Sequence, residues 1–134
     1  MKTGFTCGSF DLLHAGHILM LEECKDFCDR LVVGLQTDPT LDRPEKNQPV
    51  QSVFERWTQL EAVKHVDRII PYDTEDDLRQ LLLSLMPDVR FVSDEYREKP
   101  YTGQSITEIE IHYNKRNHHF SSTQLRERCR DSAK

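Results

Sequence analysis

No stretch of this 134-residue chain approaches the roughly 18 consecutive apolar residues that a membrane-spanning helix needs. Insertion into a bilayer as a helix is therefore not expected. The first ten residues, MKTGFTCGSF, lack a long apolar h-region, so no secretory signal is expected and a cytoplasmic setting is. An excess of positive charge is missing too. Eighteen Lys and Arg against 23 Asp and Glu leave a formal net charge of -5. That balance argues against broad binding to nucleic acid and leaves room only for a local basic pocket. The four cysteines, Cys7, Cys24, Cys28 and Cys129, form no CxxC pair. Cys24 and Cys28 lie four apart on an expected helix. A zinc site shared with nearby histidines is one alternative there, and plain reduced thiols are the other. There is no internal repeat and no low-complexity tract. What is there, 37% hydrophobic and 31% charged residues, suits a single domain over residues 1–134 with one modest core.

The chain alternates strand and helix signals. Residues 3–7 form a short apolar run ending at Gly8, and 15–28 read as a helix. RLVVGLQ (30–36) reads as a strand. Residues 37–51 carry three prolines and no apolar periodicity, which predicts a long mobile loop. Ser52 with Glu55 makes a capping box for a helix running to about His65. A strand follows at 68–72. Thr74 with Asp77 caps the next helix, which Pro87 stops. Strands at 89–93 and 109–113 flank a second polar loop, 94–105, and Ser121 with Gln124 starts the last helix. This order predicts an α/β fold, Rossmann-like, with an open, mostly parallel five-stranded sheet and helices on both faces. In such folds ligands bind beyond the carboxyl ends of the strands, where the polar loops gather.

One of those loops is GSFDLLHAGH, residues 8–17. It runs from the first strand directly into a helix. A helix start offers free N–H groups and partial positive charge, which favour anions. His14 and His17 lie three apart around that start and share a face. Gly8 and Gly16 let backbone bend or approach a ligand closely. The stretch is suited to gripping a phosphate. Metal ligation and simple capping or core packing are the other two readings of the pair.

The same stretch resembles the H-x-G-H signature of the nucleotidylyltransferase superfamily, in the cytidylyltransferase style G-[ST]-F-D-x-x-H-x-G-H. RNHHFSST (116–123) is similar to the family's R-T-x-G-I-S-[ST]-T run, and FERWTQLEAVKHVDRIIPY (54–72) to its E-R-x-x-x-L…V-D-x-V segment. The likeness spans residues 3–128 and is strongest to small bacterial glycerol-3-phosphate cytidylyltransferases. It implies that CTP, carried with Mg²⁺, is joined to a small phosphorylated alcohol, with glycerol 3-phosphate favoured. The acceptor phosphate attacks the α-phosphorus in line and pyrophosphate leaves. It also implies a homodimer. An adenylyltransferase using ATP is the alternative, and a non-catalytic nucleotide-binding regulator a second.

The resemblance assigns catalysis to His14, His17, Lys46 and Arg116. It implies nucleotide binding by Gly8, Ser9, Phe10, Arg56, Ser121, Ser122 and Thr123. Asp11, Asp38, Lys64, Asp94 and Tyr96 are the expected acceptor contacts, and no protein metal ligands are expected. The chain also departs from the pattern. Asn117, His119 and Phe120 stand where the family has Thr, Gly and Ile, and SDEY (93–96) stands where the glycerol-phosphate enzymes have G-D-D-W.

Overall fold

The computed structural model describes residues 1–115 and 118–132. Five strands, β1 (Thr3–Gly8), β2 (Arg30–Gln36), β3 (Arg68–Tyr72), β4 (Val89–Ser93) and β5 (Glu110–Asn114), form one sheet in the order β3-β2-β1-β4-β5. Every pairing is parallel. Four helices, α1 (Ala15–Asp26), α2 (Val53–Glu61), α3 (Glu75–Leu85) and α4 (Ser122–Ser132), connect or follow the strands. This is the α/β, Rossmann-like architecture that the alternating sequence predicts. None of the described helices is long and apolar enough to cross a membrane.

The sheet has two buried faces because its strands carry apolar residues on both. Leu31, Val33 and Leu35 of β2 and Phe91 of β4 pack with Leu21 and Cys24 of α1 and Leu60 of α2. Phe5 of β1, Val32 and Tyr72 pack on the other side with Leu78 and Leu82 of α3, Ile106 and Ile109. β1 therefore lies at the centre, between β2, which α1 leads to, and β4, which is reached only after three further elements. The strand order reverses between β1 and β4. In open sheets of this kind the ligand crevice opens at that reversal, beyond the carboxyl ends of the two strands.

Local signals set the helix starts. Ser52 Oγ accepts from the Glu55 amide at 3.2 Å and Glu55 returns the bond to the Ser52 amide at 3.0 Å. Thr74 and Asp77 do the same at 3.1 and 3.2 Å. α2 is shorter than expected, ending at Glu61 rather than near His65, because the chain turns there to enter β3. The loop at 37–51 is not loose throughout. A 3-10 turn, Pro39–Leu41, opens it, capped by Asp38 through the Thr40 amide at 2.9 Å. Arg43 then pairs with Glu75 at 2.6 Å. The loop's longest exposed run is 44–48.

Candidate active site

The site is built on the turn from β1 to α1. Phe10 and Leu12 both have φ near +51°, a region that costs a residue with a side chain about 1–3 kcal/mol. Packing and hydrogen bonds hold the turn in that shape. The Phe10 ring is 4% exposed and joins the core beside Leu21. Asp11, also buried, accepts from the Val50 and Gln51 amides at 2.8 and 2.9 Å. The Leu12 amide donates to Gln51 Oε1 at 2.8 Å. The turn and the far end of the 37–51 loop are thus locked to each other.

Arg56 completes the lock. Its side chain is 1% exposed. The guanidinium donates to the carbonyls of Ser9 (2.9 Å), Gln36 (2.7 Å), Thr37 (2.7 Å) and Gln51 (3.1 Å). These four carbonyls belong to the ends of β1 and β2 and to both ends of the loop. Burial pulls the guanidinium pKa down, and Asp11 and Asp38 oppose that.

On this frame His14 is the N-cap of α1. Its Nδ1 accepts from the Gly16 amide at 3.0 Å, and His17 Nδ1 accepts from the His14 amide at 3.1 Å. The two histidines form a reciprocal capping box, and their ring centroids are 4.0 Å apart. A ring nitrogen that accepts carries no proton, so each ring bears its N–H on Nε2. The capping bonds therefore set the tautomer and turn a donor away from the backbone. Desolvation, and then the neighbouring His14, pull the His17 pKa from 6.5 to about 4, with Asp11 opposing. His17 is a neutral donor at pH 7. No acidic residue stands in the first turn of α1.

α4 starts at the same place. Ser121 Oγ accepts from the Gln124 amide at 3.1 Å, Ser122 Oγ donates to the Asp11 carbonyl at 3.5 Å, and Arg126 reaches Asp11 Oδ2 at 3.3 Å. The first turn of α4 is also free of acids. Two helix N-termini without acidic residues thus meet at Asp11, an arrangement that favours an anion.

This geometry shows what several of the expected residues do in the fold. Phe10 is a core side chain, so its ring is not placed to meet a nucleotide. Arg56 has its guanidinium filled by backbone carbonyls and acts as a clamp. Asp11 has its carboxylate occupied by two amides and Arg126, so it braces the turn rather than facing an acceptor. Lys64 lies in the turn between α2 and β3, at the amino edge of the sheet and on the far side from the crevice. A helix that returns the chain to start a parallel strand must end at that edge.

Other expected residues do gather at the carboxyl edge. Gly8 ends β1, and Ser9 follows, half-buried. Ser121, Ser122 and Thr123 open α4. Lys46 is exposed in the 44–48 span. Asp38 lies just beyond β2. Asp94, ion-paired with Arg97, lies just beyond β4. Tyr96 stands edge-on to Tyr101, ring centroids 6.2 Å apart, beside the Arg43 guanidinium. Arg116 lies outside the described residues.

The metal reading of the histidines finds no support. Among the described residues no group of three or more His, Cys, Asp or Glu is placed to hold a metal ion. Burial pushes the Cys24 thiol up to about 12.

Sequence reasoning missed the third histidine. A Cβ on Gly16 would stand 2.8 Å from His14 Cε1 and 2.9 Å from His118 Cε1. His118 belongs to the quoted RNHHFSST run, at the place the family pattern leaves open. Arg126 and Gln51 were missed as well, since nothing local links either to Asp11.

Comparison with known proteins identifies the family and the fold. The family described as cytidylyltransferase-like matches residues 5–128. The bifunctional protein HldE of Caulobacter vibrioides is 37% identical over 107 residues, covering 79% of this chain and 22% of that protein. HldE of Campylobacter jejuni is 38% identical over 106 residues, 78% of this chain and 23% of that one. The chain thus spans less than a quarter of the length of these relatives. The lipopolysaccharide core biosynthesis protein from Thermoplasma volcanium superposes with a TM-score of 0.73 at 26% identity, over 88% of this chain and 99% of that one. A putative nicotinate-nucleotide adenylyltransferase from Vibrio parahaemolyticus shares the fold, with a TM-score of 0.60 at 17% identity over 100% of this chain and 90% of that one.

Proposed function

The chain belongs to the cytidylyltransferase-like family and is a nucleotidyltransferase, and we propose that it joins ATP to the phosphate of a small sugar or polyol, releasing pyrophosphate. The observation that carries the reaction class is the reciprocal His14–His17 cap on an acid-free helix start, beside the reversal of strand order. In this reading a phosphate oxygen of the acceptor attacks the α-phosphorus. A new P–O–P linkage forms, the bond to the β-phosphate oxygen breaks, and its electron pair leaves on pyrophosphate. No covalent enzyme intermediate is needed. The Nε2–H groups of His14 and His17 donate to the α-phosphate oxygens as charge builds there. Being neutral and held by backbone bonds, they need little reorganisation at the moment of reaction. The free amides at the start of α4 take the phosphates beyond, and Lys46 and Arg116 supply mobile cations. Magnesium arrives with the nucleotide, held chiefly by phosphate oxygens and water. Asp11 fits no metal role, because its carboxylate is already occupied.

Two observations support adenylyl over cytidylyl transfer. The run at 116–123 departs from the cytidylyl pattern at Asn117, His119 and Phe120. The relatives at 37–38% identity are described as HldE proteins rather than cytidylyltransferases. The Thermoplasma volcanium neighbour, described by its role in lipopolysaccharide core biosynthesis, supports a sugar phosphate as acceptor. CTP with glycerol 3-phosphate is the second reading, favoured by the G-S-F-D-x-x-H spacing. A cytoplasmic homodimer belongs to both.

The test is pyrophosphate release with Mg²⁺ and either ATP or CTP, across sugar phosphates and glycerol 3-phosphate. Turnover with ATP and a sugar phosphate is the expected result. Turnover confined to CTP and glycerol 3-phosphate would replace the first reading with the second. Nucleotide binding without release at any acceptor would point to the regulator.

A further inference from the structure

We infer that His118 is a third phosphate donor in the site, acting with His14 on the α-phosphate; the inference rests on the nucleotidyl-transfer reading above. His118 stands four residues beyond β5, in the connection to α4. Both ends of that connection are pinned to the β1–α1 unit. At its start, Asn114 Nδ2 donates to Glu23 Oε2 at 2.9 Å, and the Lys115 amide reaches both Glu23 oxygens at 3.2 Å. At its end, Ser122 and Arg126 hold Asp11. His118 lies between these two anchors, at the start of α1.

There His118 meets Gly16. Its Cε1 and that of His14 both come within 3 Å of the point where a Gly16 side chain would begin. The two rings therefore share the open space that glycine leaves above the first turn of α1. Gly16 is needed here for close approach, since any Cβ would displace both imidazoles.

The ring's hydrogen bonding repeats that of the other two. His118 Nδ1 accepts from the Phe120 amide at 3.1 Å, so its N–H is on Nε2. The Phe120 ring stacks on it, centroids 5.5 Å apart and 28° from coplanar. All three histidines thus use Nδ1 to hold backbone and keep Nε2 as a donor. A loop histidine required only for folding would need no such match to the two at the helix start.

The experiment has two arms. The first follows the imidazole ¹⁵N signals of the ¹⁵N-labelled protein, assigned with single variants, as inorganic triphosphate and Mg²⁺ are added. Shifts of the His118 Nε2 signal together with those of His14 and His17 are expected. Shifts at His14 and His17 alone would overturn the assignment, and no shift at any of the three would remove the phosphate site with it. The second arm measures pyrophosphate release. His118→Ala should lower kcat by roughly 10²-fold with a smaller change in the nucleotide KM, the scale of losing one donor to a transition state. His118→Gln, which keeps an N–H near the Nε2 position, should recover part of that loss. A kcat within threefold of wild type in the alanine variant would also overturn the assignment. If the wild-type protein binds triphosphate through all three histidines yet turns over no acceptor, the nucleotidyl-transfer reading fails while the phosphate contact stands, which separates the two.

Discussion

Helices α1 and α3 begin with the same reciprocal cap and with opposite electrostatics. Thr74 and Asp77 close the start of α3, and Glu75, Asp76 and Asp77 fill its first turn with negative charge. His14 and His17 close the start of α1, whose first turn has no acid. The acids of α3 neutralise the partial positive charge of the helix end, which stabilises the helix and repels any anion. At α1 no acid stands in the first turn, and each capping imidazole keeps its N–H on Nε2. The difference teaches how to separate a cap that ends a helix from a cap that also makes a site. The useful signs are acid in the first turn and the chemistry left on the capping side chain.

The largest break in that comparison comes from removing the imidazoles. His14→Ala or His17→Ala should lower kcat for pyrophosphate release by roughly 10²-fold, the scale of losing one such donor. Loss of the cap should cost only about 1 kcal/mol of stability by thermal unfolding. Activity within threefold of wild type in a folded variant would remove the catalytic role.

Arg56→Met tests the frame beneath α1. It leaves the buried carbonyl of Gln36 and the part-buried ones of Ser9, Thr37 and Gln51 short of a donor. A loss of about 3 kcal/mol or more in urea unfolding is expected, because orphaned buried acceptors cost about 1–3 kcal/mol each. Nucleotide protection of the folded state should fall with it. Stability unchanged from wild type would remove the clamp.

Electrostatics sharpen the comparison next. Ala15→Glu places an acid in the first turn of α1, as α3 already has. The nucleotide KM should rise about two- to fivefold, the size of one charge at a helix end, while thermal stability holds or rises slightly. An unchanged KM would show that the helix end contributes little to binding.

The pH behaviour of His17 follows from its depressed pKa. Unfolded histidine takes up a proton near 6.5, whereas native His17 does so at about 4. Between those values the unfolded state binds more protons, so this contribution to stability is full above 6.5 and is lost as pH falls toward 4. Unfolding midpoints should therefore fall over that window in the wild type and fall less in His17→Gln. Equal falls in both would assign the loss elsewhere.

The smallest effects belong to α3 and to the far edge of the sheet. Thr74→Ala should cost about 1 kcal/mol of stability and leave kcat unchanged. Lys64→Ala should change neither rate nor KM, and a clear rise in the acceptor KM would return it to the site.

The Ser52–Glu55 and Thr74–Asp77 caps were readable because their partners lie three residues apart, within one helical turn. The His14–His17 turn was readable for the same reason, and the alternation of strands with helices was enough to define a parallel sheet. Arg56 was not readable. Beside Glu55 on a helix it has the look of a surface cation, yet it fills carbonyls from three segments up to 47 residues away. Asp11 was expected near a substrate and instead accepts amides 39 and 40 residues on. Lys64 was drawn toward the site by its place in a matching segment, which says nothing about the edge of the sheet it occupies.

What the amino-acid order determined by itself was therefore local: where helices start, which strand leads into the histidine turn, and which nitrogens cap it. Only the tertiary structure decided that β1 and β4 lie side by side, that α4 returns to α1, and that His118 closes on Gly16. The physical reason is range. A capping bond depends on residues within one turn of helix, while these contacts arise only after the sheet has brought together segments as many as 115 positions apart, as at Asp11 and Arg126.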